Sequence, residues 1–193
     1  MSKISFLSSL LAFSLLFGAC SSQNSDKKAE HQTDQTTDKI VSKDTITLHS
    51  IDNKEYTVKK SDSGFKLENS KAKILILDIF ATWCPPCQAE APHLSTLQKK
   101  YQDDIKIIGI TIEDNIPNTN LEAFKQAHKA DYTLVNSAAN RRVVNELAKD
   151  LKLGNNFGIP LLVIYKDGKL VQYYQGAVEE EFIESDIKRA LGI

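Results

Sequence analysis

The sequence predicts an α/β domain: a central mixed β-sheet flanked by α-helices and preceded by a β-hairpin. Three observations predict it. Ile74–Phe80 and Ile105–Ile112 are apolar runs with little alternation, as expected of strands buried on both faces of such a sheet. Segments with apolar residues at helical spacing follow them, so buried strands alternate with helices. Lys166-Asp167-Gly168-Lys169 has the composition of a tight hairpin turn, which joins Leu161–Tyr165 to an antiparallel return strand over Leu170–Gln175.

The chain has 193 residues, a formal net charge of −1 and 3 cysteines. That length holds one domain with a real core plus sequence outside it. The near-neutral charge gives no footprint for nucleic acid. Met1–Ala19 has Lys3 near its start, an apolar stretch over Ile4–Phe17, and Gly18-Ala19 before Cys20. A basic start, an apolar middle and small residues before a cut are the marks of an export signal. The segment resembles a bacterial lipoprotein signal, in which the cysteine is lipidated and becomes the new N-terminus. An uncleaved anchor and a plain secretory signal are the alternatives. All three put the domain outside the cytoplasm, facing a bilayer through Cys20 in the first case, and do not choose between inner and outer membrane. Residues 20–43 are almost wholly polar, with nothing to bury, and read as a flexible tether. The folded domain is expected over 44–193.

Taken in order, Thr45–Leu48 and Tyr56–Lys59 read as a hairpin turning around Asp52-Asn53-Lys54, with a brief further strand at Phe65–Leu67. This block is placed to cover an edge of the main sheet. Gln88–Tyr101 carries Ala91, Leu94, Leu97 and Tyr101 as one apolar stripe, with Pro92 as a point of kinking. Gly109 permits close approach in the second buried strand. Thr119 with Glu122 has the form of a capping box opening a helix to about Lys129. Tyr132–Val135 reads as a short strand. A helix from Asn136 or Ser137 to Leu151 and a closing helix over Glu179–Leu191 complete the chain.

The chemistry concentrates at Trp83-Cys84-Pro85-Pro86-Cys87. A bridge between Cys84 and Cys87 closes so short a loop that it constrains the unfolded chain little, which makes it a poor staple and a good redox couple. Zinc is the rival use of such a pair. It needs about four ligands, and His49, His93 and His128 lack the spacing to complete a set, so no metal and no cofactor is expected. Pro85 and Pro86 suit the first turn of a helix, where amide donors lack partners. Cys84 at that helix start is the expected nucleophile, at an exposed edge, with free amides and the helix dipole favouring its thiolate. Cys87, one turn on, is the buried resolving partner. Trp83 offers a flat apolar contact for a client or packs against the pair. Asp78 interrupts the first buried strand. A buried carboxyl is paired, hydrated or neutral. Six residues before Cys84, it is positioned to exchange a proton with a thiol, burial raising its pKa; a solvent-facing strand edge is the alternative. Glu90 either tunes the site or faces solvent. Ile159-Pro160 precedes a core strand, a costly place for proline unless a tight turn, such as one with a cis peptide, requires it. Such a turn presents the Ile159 backbone to an extended client.

These residues resemble the thioredoxin superfamily, in its membrane-tethered extracytoplasmic TlpA/ResA branch. Trp83-Cys84-Pro85-Pro86-Cys87 with Glu90 and Pro92 matches that branch's W-C-x-P-C-x-x-E-x-P pattern, and Ile159-Pro160 matches the cis-proline facing the cysteines. Asp78 falls at the buried acidic position of thioredoxins. Gly168 and Gly176 match the glycines of and after the final hairpin. The likeness covers Thr45 to Ile193 and implies a strand–helix insertion after the second core strand. It implies a monomeric thiol–disulfide oxidoreductase, most simply a reductase of exported proteins such as apocytochrome c, resupplied by a membrane electron donor. An oxidase or isomerase, and a binding module with idle cysteines, are the competing readings.

Overall fold

The computed structural model describes residues 43–154 and 156–193. The signal segment, Cys20 and the tether up to residue 42 lie outside the described residues. A five-stranded mixed sheet forms the centre, ordered β6-β5-β4-β7-β8. Its strands are β4 (Ile74–Phe80), β5 (Ile105–Thr111), β6 (Thr133–Val135), β7 (Leu161–Lys166) and β8 (Lys169–Gln175). β4, β5 and β6 run parallel, and β7 and β8 add antiparallel partners on the other side. Ahead of them β1 (Thr45–His49), β2 (Glu55–Ser61) and β3 (Gly64–Leu67) make an antiparallel three-stranded sheet, so the expected hairpin is extended by the brief third strand. The helices are α1 (Pro85–Lys100), α2 (Asn118–Ala127), α3 (Asn140–Asp150) and α4 (Glu180–Leu191). α2, β6 and α3 fill the chain between β5 and β7.

Side chains alternate across a strand, so β4 divides the core in two. Ile74, Ile76 and Phe80 pack with Leu94 and Leu97 of α1, Phe124 of α2 and Ile187 of α4. Leu75, Leu77 and Ile79 pack on the other face with Ile46 and Phe65 of the first sheet and Val143 and Leu147 of α3. Every β4 residue is buried, and each fully buried aliphatic side chain there contributes roughly 1.5–3 kcal/mol. Asp78 has the parity of Ile76 and Phe80. It therefore belongs to the layer of α1, which also holds Cys84 and Cys87.

The first sheet reaches the edge of the main one. Ser50 bridges Val135 of β6, the Ile51 amide donates to the Leu134 carbonyl at 3.1 Å, and the Asn136 amide donates to the His49 carbonyl at 2.9 Å. At the other end, Asp167 and Gly168 both have positive φ (48° and 83°), the paired left-handed conformation of a two-residue hairpin turn.

α1 opens with Pro85 and Pro86 in its first turn, as expected, and the apolar stripe read from Gln88 lies within it; the helix runs on past Pro92 to Lys100. Other boundaries differ from expectation. The capping box does not form. Pro117 is the N-cap of α2, so Thr119 sits inside the first turn and its hydroxyl caps nothing. α3 starts at Asn140 rather than at 136 or 137. The Asn136 amide group is spent on Ile116 O and Asn118 Oδ1, both at 2.7 Å, and a turn from Ser137 intervenes. Among the described residues, no helix is long and apolar enough to cross a membrane.

Candidate active site

β4 runs into the turn that delivers Cys84 to the N-cap of α1, where its extended backbone (φ −85°, ψ 109°) precedes Pro85 and Pro86. Cys84 and Cys87 are joined as a disulfide with Cα atoms 5.3 Å apart. The two prolines carry no N–H, so the first amide of the helix is that of Cys87, which donates to Cys84 Sγ at 3.3 Å. Both cysteines are only 3 % exposed. The expectation of an exposed Cys84 is corrected here: its sulfur lies in the apolar layer, 3.8 Å from the carbonyl oxygen of Ile159. Trp83, beside it, is 63 % exposed and is not packed against the pair as a core residue.

The peptide between Ile159 and Pro160 is cis. Pro160 is buried at the head of β7, and its carbonyl accepts from the Gly176 amide at 2.8 Å. The turn before Trp83 is pinned from the opposite side. The Glu113 carboxylate accepts from the Thr82 amide (2.7 Å) and hydroxyl (3.0 Å), while Gln88 Nε2 donates to the Thr82 carbonyl at 2.7 Å.

Two carboxyl groups stand in the layer of the disulfide. Asp78 and Glu90 are each 2 % exposed, so neither takes its solvent-facing alternative. Asp78 Oδ2 accepts from the Tyr132 hydroxyl at 2.8 Å, and Glu90 Oε1 from the Val178 amide at 3.2 Å. The second oxygen of each, Asp78 Oδ1 and Glu90 Oε2, has no hydrogen-bond partner among the described residues. Loss of hydration pushes Asp78 up to about 7, against the lowering pull of the Tyr132 hydrogen bond. Burial, and then the neighbouring charge of Asp78, push Glu90 up to about 8. Tyr132, buried beside them, is raised far above a free phenol, first by burial, and stays a neutral donor. Burial thus brings two acids towards neutral pH next to a disulfide, where conversion between disulfide and dithiol must exchange protons as well as electrons.

The structure brings Asp78, Trp83, Cys84, Pro85, Pro86, Cys87, Glu90, Ile159 and Pro160 into one region. Sequence reasoning missed Tyr132, Glu113, Thr82 and Gln88. Gly109 was the available signal for Tyr132. It pairs with Asp78 across β4 and β5, and a Cβ there would lie 2.9 Å from the Tyr132 ring and 2.7 Å from Leu134. The missing side chain leaves room for the tyrosine to reach the carboxyl.

The family model described as Redoxin matches residues 35–191. The chain belongs to the Redoxin family. Among curated proteins, this Redoxin chain is 40 % identical over 53 residues to the thioredoxin-like protein YneN of Bacillus subtilis, covering 26 % of the chain and 31 % of YneN. It is 25 % identical over 126 residues to the thiol–disulfide oxidoreductase ResA of Halalkalibacterium halodurans, covering 63 % of the chain and 64 % of ResA. The chain thus spans less than two thirds of either protein. Among solved structures, a thiol:disulfide interchange protein of the thioredoxin family from Chlorobium tepidum superposes with a TM-score of 0.62 at 22 % identity, over 77 % of this chain and 94 % of that one. The fold is thioredoxin-like, and the chain is similar to ResA-type proteins of the thioredoxin superfamily. The Cys84–Cys87 disulfide stands at the centre of this Redoxin's site, and one relative that the chain matches is named a thiol–disulfide oxidoreductase.

Proposed function

We propose that the protein is an extracytoplasmic reductase of disulfides in exported proteins, held to a membrane by lipidated Cys20 and a tether over 20–43, with apocytochrome c as its leading client. In the reduced enzyme the Cys84 thiolate attacks one sulfur of a client disulfide. A mixed disulfide forms and the first client thiolate leaves. Cys87 gives its proton to the Asp78 carboxylate and attacks Cys84 Sγ, which releases the second client thiolate and closes Cys84–Cys87. The client gains two electrons, and protonation of its thiolates completes its reduction. A membrane electron donor returns two electrons to the pair. Trp83, Pro160 and the Ile159 backbone border the docking surface, and Glu90 shares the proton traffic of Asp78.

One observation carries the direction. Pro85 and Pro86 remove two amides from the helix start, so only the Cys87 amide reaches Cys84 Sγ. A thiolate with fewer donors is less stabilised, and a dithiol with a less stabilised thiolate is the stronger reductant. No basic side chain stands between the cysteines, and a charged Asp78 opposes the thiolate further. The test is the equilibrium potential of Cys84–Cys87 against glutathione. The expected value is near about −270 mV, that of thioredoxin; one near about −120 mV, that of a strong exported oxidant, overturns the reading.

A further inference from the structure

A groove of about 780 Å³ runs between α3 and the segment Phe157–Ile159. It lies beside the disulfide, because Ile159 lines it and the Ile159 carbonyl oxygen is 3.8 Å from Cys84 Sγ. Its apolar walls include Ile112, Val144, Phe157 and Ile159, all partly buried and none closed over by a further layer. The amides of Phe157, Gly158 and Ile159 donate to no described residue, so an unpaired backbone edge borders the groove. Such an edge accepts an extended chain by strand-like pairing, while alternate side chains enter the neighbouring pocket.

The charge of the groove is one-sided. Arg141, Lys149 and Lys152 line it, and no described carboxylate does. Arg141 is partly committed to an ion pair with Asp114. Lys149 and Lys152 pair with no acid among the described residues. The acids of the same helix, Glu146 and Asp150, line a separate groove beyond Lys149, where Lys60 holds Asp150 at 3.0 Å. From Arg141 to Lys149, α3 covers about 12 Å, the length of roughly four residues of extended chain.

We propose that this groove docks the client segment flanking the attacked cysteine, and that it selects extended segments in which apolar residues alternate with acidic ones. The proposal rests on the reductase reading above and names the client chemistry that reading leaves open.

The test uses the full chain, reduced beforehand. Two disulfide-bonded peptides differ only in three flanking positions, glutamate in one and lysine in the other, and second-order rates of reduction are compared. The uncharged 2-hydroxyethyl disulfide measures the chemistry without the groove. Two exposed charge pairs support a preference of about fivefold for the acidic peptide, falling as salt is raised. Lys149→Glu with Lys152→Glu inverts the preference and Lys149→Gln with Lys152→Gln abolishes it, both leaving the small disulfide unaffected. Equal rates for the two peptides, or a preference untouched by these variants, overturn the groove proposal while normal reduction of the small disulfide leaves the reductase reading standing. Failure with the small disulfide as well overturns the reductase reading and this proposal with it.

Discussion

Asp78 is the residue on which site and stability meet. Its carboxyl is raised to about 7, mainly by burial, against about 3.9 in an unfolded chain. The folded state therefore holds a proton that the unfolded state has lost between these values. Stability falls as pH rises from about 4 to about 7, the opposite of an ion-paired aspartate. Glu90, raised to about 8, extends the fall upward. We expect Asp78→Asn to gain roughly 1–3 kcal/mol at pH 8 and less at pH 5, read by urea unfolding at the two pH values. A gain of the same size at both would refute the linkage. The same variant slows resolution of the mixed disulfide, which trapping with a slow client measures. Tyr132→Phe removes the lowering hydrogen bond and pushes Asp78 higher still. The pH profile of exchange shifts upward and stability drops by about 1 kcal/mol or more. An unshifted profile would reduce Tyr132 to packing.

Among elements, β5 and the start of α1 set the tolerances. Gly109→Ala puts a methyl into the Tyr132 and Leu134 side chains, so β5 and β6 must part or Tyr132 must leave Asp78. The expected cost is about 1–3 kcal/mol in thermal or urea unfolding, together with the pH shift of Tyr132→Phe. Pro86→Ala restores an amide at the second helical position. It should lower the Cys84 thiol pKa and raise the potential of the pair by roughly 10–20 mV, the scale of one helix-terminus interaction. No rise against glutathione would remove the argument from prolines. The strands and the hairpin turn were legible because burial and turn chemistry leave local signatures, as in Ile74–Phe80 and Asp167-Gly168. The start of α3 was not, because Asn136 spends its amide group on Ile116 and Asn118 from a distant loop. The Tyr132–Asp78 contact was not either, being made between residues 54 positions apart.

For the whole molecule, the sequence carries what the fold cannot. The cysteine pair, the buried acid and the proline before β7 were readable because each breaks a local rule: cysteine beside proline, charge within an apolar run, proline at a core strand. Which of their neighbours would meet them depended on how α2, β6 and α3 return to the sheet. Cys20 and the tether rest on the signal-like N-terminus alone. If they act as proposed, Cys20→Ser abolishes incorporation of labelled palmitate and moves the protein from the membrane fraction to the soluble one, while the potential of Cys84–Cys87 is unchanged. Retention in the membrane fraction without label would favour an uncleaved anchor.

If the protein is anchored to a membrane as proposed, the strap formed by His49, Ser50 and Ile51 along β6 bears on how copies meet there. Proteins confined to a plane meet far more often than the same number in free volume, and two bare sheet edges that meet can zip together. Here the β6 border is already occupied by the chain itself, whereas unpaired amides remain at Phe157–Ile159, next to the sulfurs. A neighbour that pairs there is delivered to the one place where pairing can end in an exchanged bond and release. With the β6 border covered, pairing beside the sulfurs is the pairing that exchange can undo.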